Sequence, residues 1–211
     1  MKKFILSLIA ISLSSAAFAV EKEIKLAAPD MERTGTMMQA LADRQSTREF
    51  STEALSLQDL SDLLWAADGI NRQESGKRTA PSAMNRQEVD IYALFAEGAY
   101  IYNAGSHSLE LVAEGDLRAL VAGRQESVKD APLCLVLVSD DAKYQGRGGE
   151  HDIIMRSVDV GIVSQNISLF CAANHLATVP RGSMEEEALK KALNLTEAQV
   201  LMLNHPVGYF K

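Results

Sequence analysis

The stretch "APLCLVLVSD", Ala131 to Asp140, is a continuous apolar run. A run of that length without polar alternation suits a central strand buried on both faces. The sequence on either side supplies the elements that would cover it. Upstream, "EVDIYALFAEGAYIYNAGSHSLELVAE" (Glu88 to Glu114) holds three short strand-like runs. Glu97-Gly98 and Asn103 to Ser106 break them, the pattern of an antiparallel meander. Downstream, "MRSVDVGIVSQNISLFCAANHL" (Met155 to Leu176) is apolar nearly all round its helical projection, as a buried helix is. Glu185 to Leu193 reads as a short amphipathic helix and Ala198 to Tyr209 as a last strand. A further helix is signalled by "SLQDLSDLLWAADG": Ser56 and Asp59 resemble a capping box, and Leu57, Leu60, Leu63, Leu64 and Ala67 share one face. Gly69 stands where a helix C-cap would. Asn71 to Thr79 reads as a polar loop and Gly146 to Gly149 as a mobile one. Helices and a meander around a mixed sheet predict an α+β domain.

The chain has 211 residues, and its first nineteen read as an address, not as structure. Lys2 and Lys3 form a basic start, Phe4 to Leu13 an apolar run, and Ala17-Phe18-Ala19 a small-residue cleavage pattern. Together these predict a signal peptide cut after Ala19, and with no cysteine following the cut, a soluble exported protein, periplasmic in placement. The apolar run is about half of the ~20 residues that a membrane span needs. Residues 20–37 then form a polar N-terminal arm before one domain over 38–211. Without Lys2 and Lys3 the chain carries 19 basic against 28 acidic residues, a net charge of −9. That balance argues against nucleic acid or an anionic membrane as partner. Cys134 and Cys171 sit in apolar contexts that favour two buried thiols, although export permits a disulfide. His107, His151, His175 and His205 are scattered, with no spacing that suggests a metal.

Three segments could carry chemistry. In "DRQSTREFS" (Asp43 to Ser51), Arg44, Ser46 and Arg48 crowd together in an acidic chain. Two guanidinium groups can fork onto phosphate oxygens, and a hydroxyl at a turn can add a donor. The same residues also suit a solvated, salt-bridged helix start, and spacing alone does not choose. In "APSAMNRQE" (Ala80 to Glu88), Asn85 offers an amide that both donates and accepts. In "TVPRGSM" (Thr178 to Met184), Pro180 and Gly182 would let backbone approach a flat ligand closely. Each segment taken singly is also an ordinary turn.

In this order the segments resemble the FMN-dependent nitroreductase family. Arg44, Ser46, Arg48 and Phe50 match its Arg-x-Ser-x-Arg/Lys-x-Phe opening. Pro81, Ser82, Asn85 and Gln87 match Pro-Ser-x-x-Asn-x-Gln; Val179, Pro180 and Gly182 match Val-Pro-x-Gly; Pro206 to Tyr209 match the closing strand. Within the family, Leu63 to Asn85 looks most like the branch containing azoline-oxidising dehydrogenases. The resemblance implies an α+β nitroreductase-like fold with a central, mostly antiparallel sheet. It also implies a homodimer with FMN at the dimer interface, and hydride transfer between flavin and a small organic substrate. By matching position, Arg44, Ser46 and Arg48 would hold the phosphate, ribityl chain and pyrimidine edge. Ser82, Met84 and Asn85 would reach the ring from the neighbouring subunit. Pro180, Arg181 and Gly182 would lie over the flavin near its reactive nitrogen.

Because the cofactor carries the reaction, no catalytic side chain is implied, and Arg48 is the candidate that would stabilise reduced, anionic FMN. The chain departs from the family's pattern at Glu88, where many relatives carry proline and an aromatic, and at Arg181, a position often acidic. The alternative readings are a non-catalytic flavin- or small-ligand-binding protein on the same fold, and a scaffold that binds no cofactor.

Overall fold

The structure is a computed structural model that describes residues 20–146 and 149–211. The expected signal peptide lies outside these residues, as do Arg147 and Gly148 of the expected Gly146–Gly149 loop. The helices are α1 (Met37–Asp43), α2 (Leu57–Asp68), α3 (Arg118–Ala122), α4 (Asp141–Tyr144), α5 (Glu150–Ala173) and α6 (Glu186–Ala192). The strands are β1 (Glu23–Lys25), β2 (Ile70–Arg72), β3 (Lys77–Arg78), β4 (Val89–Leu94), β5 (Gly98–Asn103), β6 (Ser108–Glu114), β7 (Leu133–Asp140), β8 (Leu176–Thr178) and β9 (Gln199–Tyr209). Seven of these form one sheet in the order β1-β6-β5-β4-β7-β9-β8, in which every pairing is antiparallel. The expected mixed sheet is thus antiparallel throughout its described pairings.

β7 is the central strand that its apolar run predicts, and the period of two explains why both faces must be apolar. Leu133, Leu135 and Leu137 point into a core built with α2 and α5, where Leu63 and Ile167 are fully buried. Cys134, Val136 and Val138 point the other way, into a second core with Val121 of α3 and Leu189 of α6. Both cysteines are free, buried thiols. Sequence pattern had not signalled α3 or the 3-10 turn Glu126–Asp130, which close that second core with Val121, Ala122 and Val128.

Three further elements differ from their sequence reading. The long helix begins and ends earlier than Met155–Leu176, and only one of its faces is covered. Val160, Val163, Ile167 and Cys171 are buried, while Ile153, Ile154 and Val158 are exposed. Its apolar circumference therefore exceeds what one protomer's core uses. The polar loop Asn71–Thr79 contains most of a small ribbon, β2 paired with β3, around the left-handed Gly76. The N-terminal arm is not free: β1 adds to the sheet edge along β6. Arg33 then fastens the arm to Asp59 and Asp62 of α2 and to Asn174 beyond α5.

α2 starts as its capping box predicts, with Ser56 Oγ accepting from the Asp59 N–H at 3.0 Å. Gly69 caps the other end without a left-handed turn, at φ −77°. Glycine is needed there for space, since a Cβ would lie 2.5 Å from the Trp65 ring.

Candidate functional site

Past the end of α1 the chain runs extended, and three anchors hold it. The Thr47 N–H donates to Thr178 O and the Ser51 N–H to Tyr209 O, each at 2.9 Å. Between them Phe50 is buried against Ala131, Ala177 and Val179. With the backbone fixed, the side chains of Arg44, Ser46 and Arg48 stand exposed. Among the described residues none of the three makes an ion pair or a side-chain hydrogen bond, which removes the salt-bridged helix start as an account of this segment. Arg44 lines a cleft of about 380 Å³ with Asp43, Gln45, His175, Thr178 and Phe210.

Thr178 is fixed from behind. Its hydroxyl donates to Pro206 O at 3.0 Å, so it accepts from His205 Nδ1 at 3.3 Å. That assigns the imidazole tautomer and leaves Nε2 to accept from Ser164 Oγ at 2.8 Å. Burial holds His205 neutral, its pKa pushed down to about 3. The sequence reading of His205 as structural agrees with this place. Thr178, by contrast, gave no signal in the sequence as a wall of the cleft.

The Val179–Gly182 segment follows directly. Pro180 and Gly182 are exposed, but the Arg181 side chain turns inward and is 7 % exposed. Its guanidinium donates to Val121 O, Ala122 O, Asn204 Oδ1, Gln125 Oε1 and Ser183 Oγ, at 2.9 to 3.1 Å. Every acceptor is neutral, so among the described residues this is a buried cation with hydrogen bonds and no counter-charge. Burial, and to a smaller degree the positive charge of Arg48, lowers its pKa. Arg48 and the Val179–Gly182 segment are therefore neighbours, and the site there is cationic.

The third segment is built differently. Ser82 to Gln87 folds into a 3-10 turn in which Met84, Asn85 and Gln87 all have left-handed φ, between 53° and 57°. Side chains with a Cβ resist that region, at roughly 1–2 kcal/mol each. Local bonds hold the turn: the Gln87 N–H donates to Ser82 Oγ at 2.9 Å, Gln87 Nε2 to Gly76 O at 3.0 Å, and Arg78 Nε to Gln87 Oε1 at 3.2 Å. From α5, the Asp159 carboxylate accepts the Ala83 N–H at 2.8 Å. Met84 and Asn85 point outward and are exposed, Met84 at 85 %.

Within one protomer the structure does not bring the three segments together. Ala172 at the cleft and Asp159 at the turn lie thirteen residues apart on α5, about 20 Å at 1.5 Å per residue. Arg44, Ser46, Arg48 and the Pro180–Gly182 backbone gather near one end of that helix, and Ser82, Met84 and Asn85 lie toward the other. Sequence reading missed Asp159, the one acid within the apolar stretch Met155 to Leu176; the polar break in that pattern was the available signal.

The sequence pattern of the nitroreductase family matches residues 41–209. A protein of Methanocaldococcus jannaschii assigned to the nitroreductases is 30 % identical over 195 residues, covering 88 % of this chain and 96 % of its own. A crystal structure from Ralstonia eutropha JMP134, also assigned to the nitroreductases, is 34 % identical with a TM-score of 0.85, covering 99 % of this chain and 96 % of that one. A chain of the Escherichia coli microcin synthetase McbBCD complex shares the fold at 19 % identity and a TM-score of 0.71, over 98 % of this chain and 76 % of its own.

Proposed function

Because the chain belongs to the nitroreductase family of oxidoreductases, we propose that it is an exported, FMN-dependent enzyme whose site is completed by a second copy of the chain. One observation carries this reading. Among the described residues two guanidinium groups, Arg44 at the cleft and Arg48 near the Val179–Gly182 segment, stand without an ion pair, while the Ser82–Asn85 turn that the family pattern also calls for lies about 20 Å away along α5. A homodimer reconciles the two, with the turn of one protomer meeting the cleft of the other. The exposed Ile153, Ile154 and Val158 of α5 and Met37, Met38 and Leu41 of α1 offer apolar surface for such contact.

The residues present suit the cofactor. Arg44 and Arg48 would take its phosphate and pyrimidine edge through charge-assisted hydrogen bonds, with Ser46 as an added donor. Backbone at Pro180 and Gly182 can approach a planar ring, and Ser82, Met84 and Asn85 would contact it from the partner. Arg48, with the buried cation of Arg181 behind it, makes the region favourable for added negative charge. When bound, the flavin supplies hydride transfer with a small organic substrate, in the dehydrogenase direction. The resemblance of Leu63 to Asn85 to the azoline-oxidising branch supports that direction, as would export away from nicotinamide donors.

Full-length protein purified from its native compartment should be yellow and release FMN on denaturation. Colourless protein that also binds no added FMN would overturn the reading. Anaerobic stopped-flow mixing tests the direction separately: rapid bleaching by NADH or NADPH, saturating at micromolar concentration, would return the chain to ordinary nitroreductase chemistry.

A further inference from the structure

Glu88 enters β4 directly after the strained turn, and it is fully buried. Neither of its carboxyl oxygens has a donor in hydrogen-bond geometry among the described residues, although the main-chain N–H of Glu88 itself lies near enough to favour the charged form. What it faces is another carboxyl, that of Asp159 on α5. Asp159 is itself 3 % exposed and is the residue that accepts the Ala83 N–H. Two buried, adjacent carboxyls do not both ionise, because like charges in a poorly solvated place repel strongly. A single shared proton resolves the geometry: the Glu88 hydroxyl donates to the Asp159 carboxylate, which keeps its bond to Ala83.

We propose that Glu88 and Asp159 share one proton beneath the Ser82–Gln87 turn and act together as positioning residues, holding the turn in its strained form and loosening it when the proton leaves to solvent. The strain makes the turn a suitable lever. Three left-handed side-chain-bearing residues persist only where surrounding bonds over-determine them, and of the bonds from Gly76, Arg78 and Asp159 that do so, the Asp159–Ala83 bond is the one that reaches across from α5.

The other charged groups facing Glu88 do not neutralise it. Arg156 of α5 is bonded to Ser139 and Asp141, and Arg78 of β3 to Asp68 and Gln87. Asp68 at the end of α2, whose own pKa burial pushes up to about 7 against the pull of Arg78, adds negative charge only as it ionises over the same pH span, and Tyr144 of α4 is un-ionised near neutrality. Burial foremost, then the Asp159 carboxyl, pushes the Glu88 pKa up to about 7. Since that is above its unfolded value of 4.5, the folded chain holds the extra proton between the two. The contribution to stability is complete below pH 4.5 and is lost as pH rises through about 7.

The latch itself does not depend on a cofactor; its consequence for binding rests on the function proposed above. The decisive measurement is hydrogen exchange at the Ala83 and Gln87 amides in the full chain, corrected for intrinsic rate. Protection should fall about tenfold or more from about pH 6 to about pH 8, the span of a proton lost near pH 7. In Glu88→Gln, whose amide donates to Asp159 at every pH, protection should stay high and flat. Protection that is pH-independent in the natural chain, or that falls equally in Glu88→Gln, overturns the proposal. If that variant does not fold, carboxyl carbon NMR of the natural chain decides. Glu88 is the one buried glutamate among the described residues, so one glutamate should titrate near neutrality; none doing so overturns the proposal. FMN titrated at both pH values completes the test. Affinity that falls with pH only in the natural chain supports the latch acting on the site. Unchanged affinity beside a responding turn supports the latch and counts instead against the turn's contact with flavin.

Discussion

The Arg44–Arg48 segment and the Ser82–Gln87 turn are both short, polar and expected at the same ligand, yet they are held in opposite ways. The first has relaxed, extended backbone pinned by two main-chain bonds and Phe50, with its functional side chains left free. The second has strained backbone, and the side chains of Ser82 and Gln87 are consumed in keeping it so. Free cations provide affinity, because a charged ligand replaces water at little structural cost. A fixed, strained turn provides shape, because it presents Met84 and Asn85 in one orientation. The contrast divides the proposed site into a gripping half and a templating half.

The largest expected effect tests how the gripping half is anchored. Replacing Phe50 by alanine removes a buried ring from a pocket of small neighbours, Ala131, Ala177 and Val179, and should destabilise the chain by about 3–5 kcal/mol. Denaturant unfolding would show it. A loss under about 1 kcal/mol would mean that the two main-chain bonds alone fix the segment.

Arg44→Ala and Arg48→Ala come next. Each should weaken FMN binding by roughly 1.5–3 kcal/mol, the range of hydrogen bonds to charged groups, while stability shifts by no more than about 0.5 kcal/mol. Fluorescence titration and thermal melts on the same samples separate the two quantities. A pair of variants that melt normally and bind FMN as well as the natural chain would erase the contrast, since the free arginines would then grip nothing.

How far the sequence spoke for each half follows from the same physics. The arginines stood out by residue type, as cations in an acidic chain, whereas Phe50 was marked only by the family motif. β7 was legible because burial on two faces writes an unbroken apolar run. The turn was legible only as a motif. Its left-handed residues are Met, Asn and Gln, not glycine, so nothing in local propensity announces the conformation, which tertiary bonds from Gly76, Arg78 and Asp159 impose. The exposed face of α5 was misread for a related reason. An apolar circumference predicts cover all round, whereas Ile153, Ile154 and Val158 are left exposed by their own chain. Arg181 shows a third limit, since its neutral acceptors on α3 and β9 are contributed by residues distant in sequence.

The smallest effect sharpens the templating half. Met84 and Gln87 carry the same strain, with φ of 54° and 53°, but their side chains do different things. Among the described residues the Met84 side chain takes part in one hydrogen bond, from Arg86 Nη2 at 3.6 Å to its sulfur, whereas Gln87 holds Gly76, Asn85 and Arg78. Met84→Gly should remove roughly 1–2 kcal/mol of strain and give back about 0.4–1 kcal/mol through the freer unfolded chain. The expected outcome is a gain in stability of between zero and about 1.6 kcal/mol. Gln87→Gly relieves the same strain but strips three hydrogen bonds, each worth about 1 kcal/mol net, so it should destabilise the chain. Two glycines three residues apart with opposite signs would show that the turn is maintained by the Gln87 side chain and tolerated by Met84. Equal signs in urea melts would mean that strain is not what these bonds oppose, and the templating half would be no more constrained than the gripping one.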